Sequence, residues 1–253
     1  MAGESFVPHY SVVTIFPGMF SAISGYGVTG RAFKSGVCRL SVHNLRDYSS
    51  DIRKQVDDRP FGGGSGMVIT PGPLSLALRA AQESTGCTEA PIVYLTPQGR
   101  KFNHSMCLRF SQLSSVVFLC GRYEGIDQRI IDRYVTEEVS IGDYILTGGD
   151  LAVMVVLDAV VRLLPGSLGD PDSVRHESFS DGLFDWPQYT KPVNFDGVAV
   201  PDVLLSGNHA LVARWRLKQS LGKTWLRRPD LILSRGLSAE EEGLLNEFLS
   251  DSV

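Results

Sequence analysis

The residues with the clearest chemical potential are carboxylates and arginines that stand beside glycine-bearing loops. Glu124 and Asp143 lie in such loops, Arg162 precedes Pro165 by one helical turn, and Glu177 ends a polar segment. Carboxylates can act as general bases, and arginines can stabilise developing negative charge. No Ser/His/Asp set and no cluster with metal-ligand spacing accompanies them. The spacing alone therefore predicts a small-molecule crevice without naming a reaction.

Some of these residues also have ordinary structural interpretations. Asp158 and Arg162 are four residues apart on one helix face, so an ion pair is the default for them. Arg162 could instead point into a site at the end of its helix. Glu177 would ordinarily be a solvated surface charge.

The loops within residues 116–150 are predicted to form the walls of this crevice. The apolar run Val116–Cys120 ends at Gly121, a second run Glu138–Ile141 ends at Gly142, and Gly148-Gly149 opens a long apolar helix. Loops that follow parallel strands form ligand sites at the carboxyl edge of a sheet. Strands alternate with helices over residues 10–165, which predicts an α/β domain with a largely parallel sheet.

Composition indicates an ordinary globular protein. The chain has 253 residues, 43% of them apolar, and a net charge of -4, so any nucleic-acid surface must be local. The four cysteines form no C-x-x-C pair, which favours buried reduced thiols over a zinc or disulfide site. The N-terminus lacks a signal-peptide pattern, and the apolar segment Leu151–Leu164 is too short to span a bilayer. We expect a cytoplasmic protein with no membrane partner.

The pattern also predicts individual elements and three regions. A strand Pro91–Leu95 ends in a loop at 96–99, Asn103 caps a helix to about Gln112, Asn208 caps a helix to about Leu221, and Ser238–Glu241 forms a capping box. We expect an α/β domain at 1–166, a flexible linker at 167–177, and a helical domain at 178–253.

Two glycine-rich motifs have open interpretations. GYGVTG (25–30) matches the letters of a dinucleotide fingerprint, but a break separates it from the preceding strand, so a loop into a helix at Arg31–Lys34 is favoured. DDRPFGGGSGM (57–67) lacks the Gly-Lys-Ser/Thr of a Walker loop. A mobile surface loop and a ligand-covering loop are about equally compatible with it.

A locally basic stretch from Gly207 to Pro229 opposes the net charge of the chain. It contains no Asp or Glu, and Trp215 and Trp225 are interleaved with its cations. The cations are Arg214, Arg216, Lys218, Lys223, Arg227 and Arg228. This pattern favours nucleic-acid binding over a merely solvated helix.

Several long motifs together resemble one family. They are DDRPFGGGSGM (57–67), YLTPQGRKF (94–102), LCGRYEGIDQR (119–129), EEVSIGDYILTGGD (137–150), DGLFDWPQYTKP (181–192) and RWRLKQSLGKTWLRRPDL (214–231). In this order they resemble the bacterial tRNA (guanine-37-N1)-methyltransferases, the TrmD family of SPOUT methyltransferases. The resemblance covers nearly the whole chain.

The resemblance implies a parallel-sheet SPOUT domain with a deep trefoil knot, followed by a small helical C-terminal domain that binds tRNA rather than DNA. With this substrate, we expect the linker 167–177 to be disordered without RNA and to order when tRNA docks. It implies an obligate homodimer with active sites at the subunit interface and S-adenosylmethionine bound in the knot. The implied cofactor contacts are Tyr94, Leu95, Thr96, Pro97, Gly121, Tyr123, Glu124, Gly125, Ser140, Ile141, Gly142, Tyr144, Leu146, Gly148 and Gly149.

The resemblance also implies the chemistry. N1 of the guanosine 3′ to the anticodon carries a proton at neutral pH, so its methylation needs a base and stabilisation of charge on O6. Glu177 stands where the family carries an aspartate base, Arg162 matches its arginine, and Asp185 matches a second helpful acid. Lys191 replaces a more usual arginine. Dependence on Mg²⁺ is implied, with no visible metal cage.

Two other functions are also compatible with parts of the sequence. A non-catalytic RNA-binding module would fit the replacement of the usual base by Glu177. A nicotinamide-dependent oxidoreductase would rest on GYGVTG alone.

Overall fold

The structure, a computed structural model, describes residues 6–169 and 177–251. The chain forms two compact units, Met1–Gly169 and Asp170–Val253. Most of the predicted linker, 170–176, lies outside the described residues, and so does the prediction that it orders when RNA docks. The three-region division stays a prediction.

A five-stranded parallel sheet forms the centre of the N-terminal unit. The strands of this unit are His9–Thr14 (β1), Arg39–Asn44 (β2), Asp57–Asp58 (β3), Val68–Ile69 (β4), Ile92–Lys101 (β5), Ser115–Cys120 (β6) and Glu137–Ser140 (β7). The sheet has the order β2-β1-β6-β5-β7, and β3 pairs with β4 in a separate antiparallel ribbon. Central β6 is buried along its whole length, which is why its sequence is a continuous apolar run.

Helices cover both faces of this sheet. They are Ser21–Gly25 (α1), Gly27–Lys34 (α2), Pro71–Ser84 (α3), His104–Ser111 (α4), Gln128–Tyr134 (α5) and Asp150–Val161 (α6). Phe110 and Val156 belong to the core on the side of α4 and α6, whereas Leu74 and Ile130 belong to the core on the side of α3 and α5. The predicted α/β class with a parallel sheet is confirmed, and the trefoil knot stays a prediction.

The predicted cap at Asn103 is confirmed. Its side chain accepts a hydrogen bond from the Met106 N–H, and α4 follows it to Ser111. The cap supplies a partner for one of the otherwise unsatisfied N–H groups of the first turn.

The predicted loop at GYGVTG is wrong, because most of this motif is helical. Gly25 ends α1 and Gly27 begins α2, with Tyr26 extended between them. A Cβ at Gly30 would lie 2.8 Å from the Gly25 carbonyl carbon, so glycine is required where the two short helices approach each other. Gly30 therefore serves helix packing, and the motif does not form the strand–loop–helix turn of a dinucleotide fingerprint.

The strand predicted to end at Leu95 instead continues as β5 to Lys101. Val139 of β7 is opposite both Leu95 and Arg100, so the residues between them form a bulge. A Cβ at Gly99 would lie 2.3 Å from the Val139 nitrogen, and only glycine allows the two backbones to approach so closely. The bulge projects Thr96–Gln98 beyond the ladder at the carboxyl end of the sheet.

The C-terminal unit is mainly helical. Its elements are Asn194–Phe195 (β8), Val198–Ala199 (β9), Asp202–Leu205 (α7), His209–Arg227 (α8), Pro229–Arg235 (α9) and Ala239–Asp251 (α10). Its core contains Leu183, Leu221, Ile232, Leu244 and Leu245.

The caps predicted for this unit are confirmed, whereas one predicted helix end is wrong. Asn208 accepts from the N–H groups of Ala210 and Leu211. The Ser238 N–H donates to Glu241, and the Glu241 N–H donates to the Ser238 hydroxyl. Helix α8 runs past Leu221 to Arg227 because Gly222 is a packing position: a Cβ there would lie 2.2 Å from the ring of Phe248 on α10.

Candidate functional site

A cavity of about 470 Å³ lies at the carboxyl ends of β5, β6 and β7. Its lining includes every position that the resemblance implied for the cofactor. Those positions come from residues 94–97 at and before the β5 bulge, from the loop 121–125 after β6, and from the end of β7 with its following loop, residues 140–149. Parallel strands end at the same edge of a sheet, which is why segments far apart in sequence meet here. The role of these residues in binding stays a prediction.

Close backbone approach between the two long loops forms one wall of the cavity. The Gly149 N–H donates to the Gly121 carbonyl at 2.8 Å. A Cβ at Gly149 would lie 3.0 Å from Cys120 Cα, and a Cβ at Gly121 would lie 2.8 Å from the Tyr94 hydroxyl oxygen. Larger residues at either glycine would push the loops apart, so the cavity depends on these glycines.

The hydroxyl of Tyr94 lies against this wall at Gly121. Burial raises the pKa of Tyr94, and the nearby carboxylate of Glu138 raises it further. The phenol therefore stays protonated at neutral pH.

The loop after β6 is held by the glycine-rich segment 57–67. Tyr123 has a left-handed backbone with φ of 60°, uncommon for a residue with a bulky side chain. The Glu124 N–H donates to the Met67 carbonyl at 2.9 Å. A Cβ at Gly66 would lie 2.3 Å from Glu124 Oε1, so the segment's final glycine lies directly against a residue of the cavity wall. This contact favours a ligand-covering role for the segment over a detached surface loop.

The loop after β7 supplies the apolar side of the cavity. Ile141 and Leu146 are partly buried against the core. The Ser140 hydroxyl and the backbone of Gly142 hydrogen-bond each other at 3.1 and 3.2 Å. Tyr144 covers Gly142, where a Cβ would lie 2.4 Å from its ring. Such a mixture of apolar side chains and exposed backbone groups suits a ligand with an aromatic base.

Sequence reasoning missed Arg122, which also lines the cavity. Its guanidinium pairs with the buried carboxylate of Asp150 at 2.7 Å and stacks over Phe16 at 4.6 Å. A charged residue between Gly121 and Tyr123 was visible in the motif. Nothing in the pattern linked it to Asp150.

Arg162 lies immediately after α6 and is half-buried. Its backbone N–H donates to the Asp158 carbonyl at 3.3 Å, which continues the helical turn. The backbone therefore fixes Arg162 at the end of the helix that Asp150 begins.

In the C-terminal unit, the residue that follows Glu177 in the chain, Ser178, forms hydrogen bonds with Asp185. The Ser178 hydroxyl donates to Asp185 at 2.5 Å and accepts from the Asp185 N–H at 3.1 Å. The Glu177 carbonyl accepts from the Ser180 hydroxyl at 2.7 Å. The turn that carries the predicted base is thus tied to the second predicted acid.

The six predicted RNA-binding cations divide into two groups. Arg214 pairs with Glu247, Lys218 pairs with Asp251 at 2.5 Å, and Arg228 pairs with Asp230 at 2.7 Å. Within the described part of the chain, Arg216, Lys223 and Arg227 have no carboxylate partner. These three charges are available to an anionic ligand.

The described residues contain no cluster of three or more His, Cys, Asp or Glu side chains that would hold a metal ion. None of the helices that the structure describes is both long and apolar enough to cross a membrane.

Comparisons with known proteins point to one family. The family model described as "tRNA (Guanine-1)-methyltransferase TrmD" matches residues 9–234. A protein named tRNA (guanine-N(1)-)-methyltransferase from Nitrosospira multiformis is 53% identical over 245 residues, covering 94% of this chain and 96% of the relative. Proteins of the same name from Pseudomonas entomophila and Idiomarina loihiensis are 54% and 52% identical, covering 95% and 94% of this chain and 96% and 94% of their own lengths.

Proposed function

Because the chain belongs to the tRNA (guanine-1)-methyltransferase family, we propose that it methylates N1 of guanosine 37 in tRNAs with a guanosine at the preceding position. The methyl donor is S-adenosylmethionine. The family match over residues 9–234 carries the proposal. The cavity, lined by every implied cofactor position, supports it.

The cavity fits S-adenosylmethionine by size and by lining. Its volume of about 470 Å³ falls within the roughly 300–1,000 Å³ usual for small-molecule sites. Ile141 and Leu146 offer apolar surface to the adenine, the glycine loops offer backbone groups, and Glu124 offers a carboxylate to a cationic part of the ligand. When bound, S-adenosylmethionine supplies a methyl group on a positively charged sulfur, which departs as a neutral thioether.

The proton chemistry belongs to residues outside this cavity lining. As the bond from guanine N1 to the methyl carbon forms, the N1 proton passes to the carboxylate of Glu177. Negative charge that moves onto O6 is stabilised by the guanidinium of Arg162. Asp185 keeps the turn of Glu177 in place through Ser178. A glutamate at the base position has one methylene more than the aspartate of the family pattern, so the side chain reaches further.

A homodimer belongs to the same proposal. Helix α6 leaves Leu151 and Val155, four residues apart, about half exposed on its outer face. An apolar stripe on a helix that begins at the cavity suits a second copy of the chain. Light scattering of the purified protein tests this, and Leu151→Glu is expected to shift the mass towards the monomer.

Dependence on Mg²⁺ and a cytoplasmic location also stay predictions. Mg²⁺ is usually held by one or two carboxylates together with substrate oxygens, so no protein cage is required for it.

A methyl-transfer assay tests the proposal. The protein is incubated with methyl-labelled S-adenosylmethionine, Mg²⁺ and a tRNA transcript carrying guanosine at positions 36 and 37, and nucleosides are separated after digestion. We expect labelled 1-methylguanosine, and none from the transcript with adenosine at position 37. Tight tRNA binding without 1-methylguanosine would instead favour a non-catalytic RNA-binding module.

A further inference from the structure

A second cavity, of about 390 Å³, lies within the C-terminal unit between the segment 186–193 and helices α7 and α8. Aromatic Trp186 and Tyr189 line it together with aliphatic Val193 and Leu205. Tyr189, Val193 and Leu205 are each about half exposed. The described residues that line this groove include no Asp or Glu. The groove therefore combines accessible aromatic surface with an absence of negative charge in its wall.

A cation lies directly on the aromatic part of the groove. The guanidinium of Arg216 is 4.7 Å from the centre of the Trp186 ring, and Lys191 also contributes to the lining. The Tyr189 ring lies 6.3 Å from the ring of Trp215. An arginine plane and aromatic rings are the surfaces on which unpaired bases of RNA stack. Gln188 and Thr190 add groups that can hydrogen-bond a base edge.

The same cation begins a row along α8. Arg216, Lys223 and Arg227 are separated by seven and four residues, which places them on one face of the helix. From Arg216 to Arg227 this row extends about 16 Å, at about 1.5 Å per residue. Arg214 and Lys218, four residues apart, pair instead with carboxylates of α10. The helix thus has a neutralised flank and an open cationic flank, and the groove lies at the start of the open one.

We propose that this groove receives an unpaired nucleobase of the tRNA substrate, while the Arg216–Lys223–Arg227 row binds the phosphates beside it. The proposal rests on the proposed function for its choice of tRNA. A polymer that alternates flat bases with anionic phosphates matches an aromatic groove continuous with a cationic row. An apolar peptide or a second copy of the chain would leave the row without a partner.

Binding of the tRNA transcript by full-length variants, measured by fluorescence anisotropy at several salt concentrations, tests the two parts separately. Tyr189→Leu keeps an apolar side chain and removes a stacking ring, so we expect Kd to rise about 5- to 150-fold. The slope of log Kd against log salt should stay the same. Lys223→Met and Arg227→Met should each reduce that slope by about 0.7, the value for one phosphate contact with a single strand.

Arg79→Met is the matched control. Arg79 is exposed and lies 5.9 Å from the ring of Tyr134 in the N-terminal unit, so its loss removes one charge, one cation–π contact and a hydrogen bond to the Tyr134 hydroxyl elsewhere in the protein. We expect its Kd and salt slope to equal those of the wild type. Circular dichroism of each variant confirms that the helices are retained.

Crosslinking then identifies the occupant. Transcripts carrying 4-thiouridine at single unpaired positions are irradiated with the protein, and mass spectrometry locates the adducts. Adducts at 186–193 support the proposal. Adducts only outside the groove, or unchanged Kd for Tyr189→Leu, overturn it. A Tyr189→Leu protein that dissociates to monomers without loss of tRNA affinity also overturns it, because the groove then accepts a second copy.

The outcomes separate this proposal from the proposed function. Wild-type protein that forms 1-methylguanosine while the groove variants bind tRNA normally refutes only the groove. Wild-type protein that crosslinks through 186–193 but transfers no methyl group refutes only the enzymatic function.

Discussion

Arg122 and Asp150 form an ion pair whose carboxylate is fully buried, with Arg122 Nη2 and Nε 2.7 and 2.8 Å from Asp150 Oδ2. The other carboxylate oxygen accepts from the Thr14 hydroxyl. Arg122 Nη1 also donates to the Thr147 carbonyl at 3.1 Å. The pair therefore connects the end of β1, the loop after β6 and the loop that enters α6. Two of these segments are walls of the cavity at the carboxyl ends of β5, β6 and β7.

Replacement of Arg122 by methionine is expected to destabilise the protein by about 3–5 kcal/mol, because it leaves the Asp150 carboxylate buried without its charge partner. S-adenosylmethionine affinity should fall as well, since the loop after β6 loses its anchor. Urea unfolding measures the first effect and titration calorimetry the second.

The double variant Arg122→Met/Asp150→Asn provides the control for that effect. Asp150→Asn removes the buried negative charge, so the loss of the Arg122 guanidinium should then lower the free energy of unfolding by less. The double variant is therefore expected to be more stable than Arg122→Met alone. Simple additivity of the two single changes would contradict a directly coupled pair.

Replacement of Gly148 by alanine is expected to weaken cofactor binding without any change in charge. The added Cβ would lie 2.2 Å from Arg122 Nε, so the guanidinium must move away from Asp150. We expect the Kd for S-adenosylmethionine, measured by calorimetry, to rise about 10-fold, the equivalent of about 1.4 kcal/mol.

Gly243→Ala is the matched control for this change. Gly243 lies inside α10, and a Cβ added there would have no atom within 4 Å. Alanine there should stabilise the protein by about 1 kcal/mol through helix propensity, with cofactor affinity unchanged. Equal cofactor affinity in Gly148→Ala and Gly243→Ala would contradict the proposed dependence of the cavity wall on Arg122.

Local chemistry explains which parts of the fold the sequence could predict. The caps at Asn103 and Asn208 depend on side-chain oxygens within a few residues, so the pattern reveals them. The ends of β5 and α8 depend on distant partners instead. Val139 extends β5 beyond its bulge, and Phe248 packs against Gly222, whose residue type alone suggests a helix break.

The same distinction applies to the candidate sites. The residues that line the first cavity follow strand ends and glycine loops, and the resemblance supplies them as a set of predicted cofactor contacts. The Arg122–Asp150 pair joins residues 28 apart whose meeting depends on the tertiary fold. The division of the basic stretch into paired and open cations depends on the carboxylates of α10 more than 30 residues away, which composition does not reveal.

Glu241 should make the stability of the C-terminal unit depend on pH at the acidic end. Its hydrogen bond with Arg235, aided by the N–H and hydroxyl groups of Ser238, lowers the pKa of Glu241 from 4.5 to about 2. Since the folded pKa lies below the unfolded one, this stabilisation is present above about pH 4.5 and is lost as the pH falls towards 2. The destabilisation caused by Glu241→Gln should therefore disappear between those pH values.

Urea unfolding of wild type and Glu241→Gln, followed by helical circular dichroism from pH 2 to 6, measures this difference. Because other carboxylates titrate in the same range, the informative quantity is the difference between the two proteins at each pH. A difference that stays constant throughout the range would contradict the assignment to Glu241.

Loss of the Ser178 hydroxyl should lower the rate of methyl transfer and leave substrate affinity intact. Ser178→Ala removes both hydrogen bonds to Asp185, so the turn that carries Glu177 is no longer fixed. Since small displacements of a reacting group cost up to about 100-fold, we expect kcat to fall about 10- to 100-fold. Glu177→Gln removes the proposed base and should lower kcat by about 10²- to 10⁴-fold. Single-turnover assays with saturating tRNA and S-adenosylmethionine measure these rates.

The combination of the two changes distinguishes positioning from a general loss of structure. If Ser178 acts through Glu177, then Ser178→Ala in the Glu177→Gln background should add little further loss, because there is no base left to position. Ser250→Ala is the matched control, since it removes a hydroxyl that donates only to the Asn246 carbonyl in the last helix. Its rate should equal that of the wild type. Fully multiplicative losses in the double variant would assign Ser178 a role independent of the base.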